Sequence, residues 1–325
     1  MLKKTVFITG ITGFAGSHLA KKILEDRPNF RIFGLKRKES SIERIKEIID
    51  SVELFEGDIT DKNSLDEAIR QTQPNYIFHL AASTSKSVED KTYWKINVDG
   101  TRNLLESVVN NVNKIFMLHY ASTGYVYGKS FKSGLPMKET DKTLPIEPYE
   151  KTKLEGEKLF VEYSKQYNLP IVVTRAFHHE GPDCREDLIG TIIIKKVFEL
   201  IKSNGKFLNF GNIKNIIDLS DVRDIVYGYL LAVENGKSGE IYNLCSGKGH
   251  SIEELINFTI KYVKIKRPIK IKIDKKCVRP KEFPVRVGDY LKAKRELNWE
   301  PKIDFLEQTL PEMINSYLSN IKDVI

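Results

Sequence analysis

Three glycines spaced three apart, Gly10, Gly13 and Gly16, lie between a β-branched run at Thr5–Thr9 and a helical apolar pattern through Leu19, Ile23 and Leu24. A strand that turns sharply into a helix needs residues without Cβ at the turn, and the helix N-terminus it creates attracts phosphate. The spacing predicts that Gly10, Thr12, Gly13, Phe14, Ala15 and Gly16 cradle a dinucleotide; the plain alternative is a structural loop.

Beyond the glycines the chain fits a parallel sheet. Apolar runs at 31–35, 52–55, 76–80, 115–120 and 171–175 read as strands. Helical patterns at 61–71, 97–110 and 150–167 alternate with them. Strands alternating with helices of these lengths describe an α/β fold of Rossmann type, a doubly wound parallel sheet. Its ligands belong beyond the strand carboxyl ends. Residues 1–175 are expected to form this NAD(P)-binding domain. From about Asp183 the pattern loosens into helices at 189–201, 224–234, 251–262, 290–297 and 305–318, with short strands at Phe207–Phe210 and Ile241–Leu244. Residues 176–325 read as a smaller C-terminal α/β substrate lobe, some segments of which return to the core. The 269–273 alternation predicts a strand with isoleucines inward and lysines in water, and 279–287 reads as a loop or edge segment.

Composition excludes several classes. A chain of 325 residues with 41% hydrophobic and 30% charged content is an ordinary soluble globular protein. No apolar run approaches the ~18 residues of a membrane span, and the opening run stops at Gly10, too short for a signal sequence. Three cysteines, Cys184, Cys245 and Cys277, stand far apart and in no metal spacing, which points to a reduced, cytoplasmic protein. The formal charge of +8 favours anionic partners. Nucleotide phosphates and nucleic acid would both fit that preference, with a lysine-rich surface as the plain alternative; the basic 269–273 stretch reads as a strand, not a nucleic-acid patch, and no nucleic-acid partner is expected.

Individual residues sharpen the cofactor. Dinucleotide folds place an acid at the end of the second strand to bind the ribose 2′-hydroxyl. Here Lys36-Arg37-Lys38 stand there, with no acid before Glu39. Cations at that place suit a 2′-phosphate, so NADP is favoured over NAD, against the alternative of an exposed basic loop. Asp58, with Ile59 after it, is placed to meet an adenine amino group, and Leu80-Ala81-Ala82 let a cofactor lie against the backbone. His79 reads as a packed core residue. His178, His179 and Glu180 are adjacent but point apart in an extended segment, so no metal site is expected.

Tyr149 and Lys153, four apart, share one face of a helix. An ammonium beside a phenol favours phenolate, which would make Tyr149 an acid/base near neutral pH. Thr123 would supply a second hydroxyl to orient a substrate oxygen. Alone, such a pair is most often a solvated helix face.

The order of motifs carries more. Thr9-Gly10-x-x-Gly13-Phe14-x-Gly16, Gly57-Asp58, His79-Leu80-Ala81-Ala82, Asn97-Val98-x-Gly100-Thr101, Ser122-Thr123-x-x-Val126-Tyr127-Gly128 and Tyr149-x-x-x-Lys153 succeed one another at matching spacings. Together they resemble the extended short-chain dehydrogenase/reductases of the nucleotide-sugar epimerase/dehydratase type, over nearly the whole chain. Arg175-Ala176-Phe177-His178-His179-Glu180-Gly181-Pro182, Asp221-Val222-Arg223-Asp224, the 241–247 segment, and Arg279-Pro280-Lys281-Glu282 through Gly288-Asp289 resemble its GDP-sugar members, the GDP-mannose 4,6-dehydratases and GDP-4-keto-6-deoxy-mannose reductases.

That resemblance implies catalytic Thr123, Tyr149 and Lys153, with Phe177 joining the cofactor site. It implies a nucleotide-diphospho-sugar, GDP-linked, as substrate, met by Ser83, Thr123, Gly124, Tyr125, His178, Arg279 and Glu282. It also implies a homodimer, or dimer of dimers, through helices 97–110 and 150–167. In the dehydratases a glutamate two residues after the threonine removes the sugar's C5 proton; here Tyr125 stands there, which disfavours 4,6-dehydration. Where relatives carry an arginine that grips the diphosphate, this chain has Ile217, so those contacts are expected to fall to Lys195 or Lys214. His178 replaces the usual asparagine.

Three readings remain. The first is reduction of a GDP-4-keto-6-deoxy-hexose. The second is a C4 dehydrogenase or C4 epimerase of a GDP-hexose or heptose with tightly bound NAD. The third is a non-catalytic cofactor sensor, against which the intact Thr/Tyr/Lys set argues.

Overall fold

The computed structural model describes residues 4–85, 88–131, 135–278 and 283–322. The first six apolar runs become β1 (Thr5–Thr9), β2 (Arg31–Lys36), β3 (Val52–Glu56), β4 (Tyr76–His79), β5 (Met117–Thr123) and β6 (Ile171–Ala176). Between them run α1 (Phe14–Asp26), α2 (Lys62–Thr72), α3 (Asp90–Trp94), α4 (Gly100–Asn111) and α5 (Pro148–Tyr167). Then come β7 (His178–Glu180), α6 (Ile189–Lys202), β8 (Phe207–Phe210), β9 (Ile216–Asp221), α7 (Val222–Asn235), β10 (Ile241–Leu244) and β11 (Gly249–Ser251). The chain closes with α8 (Ile252–Tyr262), β12 (Lys270–Ile273), β13 (Val285–Arg286), α9 (Leu291–Leu297) and α10 (Leu310–Lys322).

Seven strands form one sheet in the order β10-β6-β5-β4-β1-β2-β3, all parallel. Helices cover both faces, so strand residues are buried in consecutive positions: Val6, Phe7 and Ile8 on β1, Ile77 and Phe78 on β4. One face packs beneath α1 and α7 (Leu19, Ile23, Ile225, Tyr229). The other packs beneath α2, α4 and α5 (Leu65, Leu104, Leu159, Phe160). The strand order reverses between β1 and β4, and such a switch point opens a crevice beyond the carboxyl ends. A separate apolar cluster joins α6, α8 and α10 to β8 and β9. A small sheet, β11-β9-β13 with β7 on β9, runs alongside it.

Three expectations change. The helix predicted at 97–110 begins at Asp90, and Lys95–Asp99 forms a π turn between α3 and α4. The extra residue of that turn brings Asn97 inward, to 1% exposure. The strand predicted at 115–120 extends through Thr123, so Thr123 ends a strand, opposite Ala176. In the 269–273 strand Ile271 is half-buried, but Ile273 is 58% exposed. β12 pairs with β8 alone in a two-stranded sheet, and that end has no covering layer. Among the described residues no helix is long and apolar enough to cross a membrane.

Candidate active site

The glycine turn is shaped by close approach. Gly10 has φ +75°, and a Cβ there would meet the Ala81 nitrogen at 2.9 Å; a Cβ on Gly16 would meet the Gly10 oxygen at 2.1 Å. The end of β1 therefore lies directly against the loop after β4. Gly13 occupies the N-cap of α1, where no side chain caps the helix and no acid stands in the first turn. Those N–H groups face the crevice in need of an anion, so this cradle fits the diphosphate of a dinucleotide. Thr12, Phe14 and Ala15 form its partly exposed rim.

Beneath it His79 is a core residue, as its sequence context suggests. Its Nδ1 meets Thr9 Oγ1 at 2.8 Å, its Nε2 meets Thr101 Oγ1 at 2.9 Å, and burial holds its pKa well below the ordinary value. Asn97, freed by the π turn, clamps the next loop: Oδ1 accepts from Ser83 N at 2.7 Å, and Nδ2 donates to Ser83 O and to Thr152 Oγ1. The loop after β4 is thereby tied to α5.

α5 starts where it does because Pro148 fixes the first turn and the Glu150 carboxylate accepts from Ile146 N and Glu147 N. That sets Tyr149 in the opening turn, hydrogen-bonded to Thr123 at the end of β5. One turn on, Lys153 is 3% exposed, its Nζ 4.2 Å from the centre of the Tyr120 ring. Gly156 allows this close packing, since a Cβ there would collide with the Tyr120 hydroxyl. Thr123, Tyr149 and Lys153 are thus brought together.

Their electrostatics overturn one expectation. Lys153 does not hold the tyrosine down: burial raises Tyr149 well above the ordinary range, Tyr125 adds to the rise, and Arg185 and the Thr123 hydrogen bond oppose it. Lys153 itself falls from 10.5 to about 7 through burial, with Glu157 opposing. In this environment desolvation of both groups exceeds their mutual effect.

A buried polar chain stiffens the same corner. Arg175 on β6 forms a bidentate pair with Glu157 on α5 at 2.7 and 3.0 Å. Glu157 also takes the Ser122 hydroxyl. Arg175 donates to Tyr127 OH at 3.2 Å, which donates to Asn243 Oδ1 at 2.7 Å. β5, β6, α5 and β10 are locked into one register by these bonds.

A pocket opens beside Thr123, lined by Gly124, Tyr125, Phe177, His178, Ile217 and Arg286 among others. His178 Nδ1 lies 3.3 Å from Tyr125 OH, and its Nε2 lies 2.6 Å from Glu180, a fully buried carboxylate that also accepts from Gly190 N. Burial works to lower His178, but Tyr125 and Glu180 outweigh it and raise the imidazole to about 9. His179, on the opposite face of β7, stacks toward Phe14. Phe177 is 5% exposed and fills the space beneath Gly124.

Other predicted residues fall elsewhere. Asp58 Oδ1 is taken up by Thr60 N and Thr60 Oγ1, both at 2.7 Å. Ile59 is 6% exposed and packs where Gly100 leaves room, so its side chain is core. Leu80, Ala81 and Ala82 are half-buried beside the glycine turn. Lys36 turns onto the Arg37 carbonyl, and Arg37 faces Glu39 at 3.4 Å. Lys195 holds Glu186 at 2.6 Å and Lys214 holds Glu253, neither in the pocket. Arg279 and Glu282 lie outside the described residues. Sequence reasoning missed the Glu157–Arg175 pair, whose signal was a glutamate four residues after Lys153. It also missed Arg286, a charge between Val285 and Val287 in a segment read as loop or edge.

The chain matches the family model described as GDP-mannose 4,6 dehydratase over residues 7–313. It belongs to that family. A GDP-mannose 4,6 dehydratase of Drosophila melanogaster is 27% identical over 335 residues, covering 94% of this chain and 84% of its own. A GDP-6-deoxy-D-mannose reductase of Pseudomonas aeruginosa is 24% identical over 327 residues, covering 99% of this chain and 100% of its own. The structure of a dTDP-glucose 4,6-dehydratase from Bacillus anthracis, in complex with NAD, matches with a TM-score of 0.84 at 25% identity over 98% of each chain. The GDP-mannose 4,6 dehydratase family, the fold and the cradle make this chain an NAD(P)-dependent nucleotide-sugar enzyme of the extended short-chain dehydrogenase/reductase type.

Proposed function

We propose that this enzyme acts at C4 of a nucleotide-diphospho-sugar and reduces a GDP-linked 4-keto-6-deoxy-hexose. The observation that carries the reading is Tyr125. Two residues after Thr123 the chain offers a phenol engaged with His178, where removal of a sugar's C5 proton would call for a carboxylate. What remains beside it is a set suited to protonating one oxygen. The cradle of Gly10, Gly13 and Gly16 would hold a nicotinamide dinucleotide, which when bound would supply the hydride.

Tyr149 donates its proton to the oxygen as charge develops there. A phenol whose pKa is raised is protonated throughout the neutral range, which suits the donor side of a reduction. Thr123 hydrogen-bonds the same oxygen and stabilises its charge. Lys153, titrating at about 7, refills the tyrosine from within the site. The Glu157–Arg175 pair ties β6 to α5, and Glu157 also holds Ser122 on β5, so the two hydroxyls converge.

The test is loss of nicotinamide absorbance when NADPH or NADH is mixed with GDP-4-keto-6-deoxy-mannose, against GDP-mannose as control. Formation of a keto sugar from GDP-mannose, without loss of that band, would sink the reductase reading in favour of dehydration. A second reading, a C4 dehydrogenase or epimerase retaining NAD, draws support from Lys36 and Arg37, which already have partners within the chain. Stoichiometric NAD released on denaturing the purified protein selects it.

A further inference from the structure

The pocket beside Thr123 contains a cation that pairs with no carboxylate among the described residues. Arg286, on β13, has a buried Nε without a hydrogen-bond partner, and its guanidinium makes no ion pair among the described residues. Of the other described arginines, all but the exposed Arg102 hold a carboxylate or a backbone carbonyl. Arginine stays charged at every working pH, and a half-buried charge without a partner is costly.

Nearby carboxylates are committed elsewhere. Asp218 accepts from Ser246 N, Ser246 Oγ, Gly247 N and Gly288 N. Glu180 holds His178 and Gly190 N, and Glu150 holds the start of α5. The guanidinium instead lies 5.2 Å from the centre of the Tyr125 ring, in a pocket walled by Phe177 and Ile217. In the parallel pairing of β9 and β13 its register partner is Ile217 itself. The cation that the sequence lacks at 217 stands on the adjacent strand.

We propose that Arg286 binds an oxyanion of the substrate, the sugar-proximal phosphate of the nucleoside diphosphate. In a hexose ring C1, which bears that phosphate, lies across from C4. With the C4 oxygen at Thr123 and Tyr149, the phosphate falls on the far side of the sugar, toward β9 and β13. The planar fork of arginine matches two phosphate oxygens. A carboxylate on the sugar has the same chemistry, so the experiment separates the two sources. This assignment rests on the nucleotide-sugar reading above.

The experiment titrates GDP, UDP and the corresponding sugar nucleotides into cofactor-loaded protein by calorimetry. Parent, Arg286→Leu, Arg286→Lys and the double variant Arg286→Leu with Ile217→Arg are compared. Leucine should weaken binding of whichever nucleoside diphosphate the parent takes by about 10–100-fold, with cofactor affinity unchanged and the melting temperature no lower than the parent's. Lysine, which keeps charge but not the fork, should fall between. Ile217→Arg should restore most of the loss, which a merely structural role for Arg286 would not allow. Unchanged diphosphate affinity in Arg286→Leu overturns the phosphate assignment; if only the sugar nucleotide then weakens, the anion is on the sugar. A parent that takes UDP and refuses GDP sinks the GDP reading while leaving Arg286 to be judged on UDP.

Discussion

Replacing Lys153 by methionine should make the cofactor-stripped protein more stable at neutral pH, although it removes a residue of the site. The ammonium is 3% exposed, packs on the Tyr120 face, and titrates at about 7 where an ordinary lysine titrates at 10.5. Between those two values the unfolded chain holds a proton that the native chain does not, so stability rises with pH across the window. Each pH unit is worth about 1.36 kcal/mol, so the lysine costs the native state about 4 kcal/mol at pH 7 and about 2 at pH 9. By pH 10 the cost falls below about 1 kcal/mol. Methionine is similar in length and never charges, so its advantage should show the same decline. Urea unfolding of parent and variant at pH 7, 8, 9 and 10 measures it. A variant no more stable than the parent at pH 7, or a gain that does not shrink toward pH 10, refutes the reasoning that burial governs this lysine.

The site makes three further outcomes testable. Tyr149→Phe should lower the turnover rate by about 10²–10⁴-fold while cofactor affinity, read by fluorescence titration, stays the same. Glu157→Gln leaves the Arg175 guanidinium buried without its carboxylate and should cost about 3–5 kcal/mol in urea unfolding, a loss that a surface pair would not produce. His178, raised to about 9, contributes stability that is complete below its unfolded value near 6.5 and is lost as pH rises through 9. NMR titration of its ring should give a midpoint near 9 in the parent, and Glu180→Gln should move that midpoint down.

The first half of the fold was legible because its signals are local. Gly10, Gly13 and Gly16 declare a turn whose geometry only glycine accepts, and consecutive buried apolar runs declare parallel strands. Tyr149 and Lys153 were readable as neighbours since a helix fixes their spacing, and Thr123 is placed by the end of a strand. The features that escaped depend on distant pairings. Nothing near Arg286 in the chain says that β13 lies against β9, and nothing near His178 says that Tyr125 waits across the pocket. The π turn at Lys95–Asp99 has no periodic signature, since one extra residue leaves the apolar pattern nearly intact. Lys153 was misjudged for a different reason: a pair seen in sequence carries no information on how dry its surroundings are.

β10 gives the sheet its outer edge, yet it leaves the ribosome long after Tyr149. Until Leu244 has emerged, the backbone at Val173 on β6 and at Phe177 just beyond it lacks the carbonyls of Glu240 and Leu244, and Tyr127 lacks Asn243. By then β7 and β9, which line the pocket beside Thr123, have already been synthesised. β6 and the Tyr127–Asn243 bond therefore reach their final form in one late event, and β13, which brings Arg286 to the pocket, follows later still. A nascent chain halted before that point carries a complete nucleotide cradle and no finished place to do chemistry.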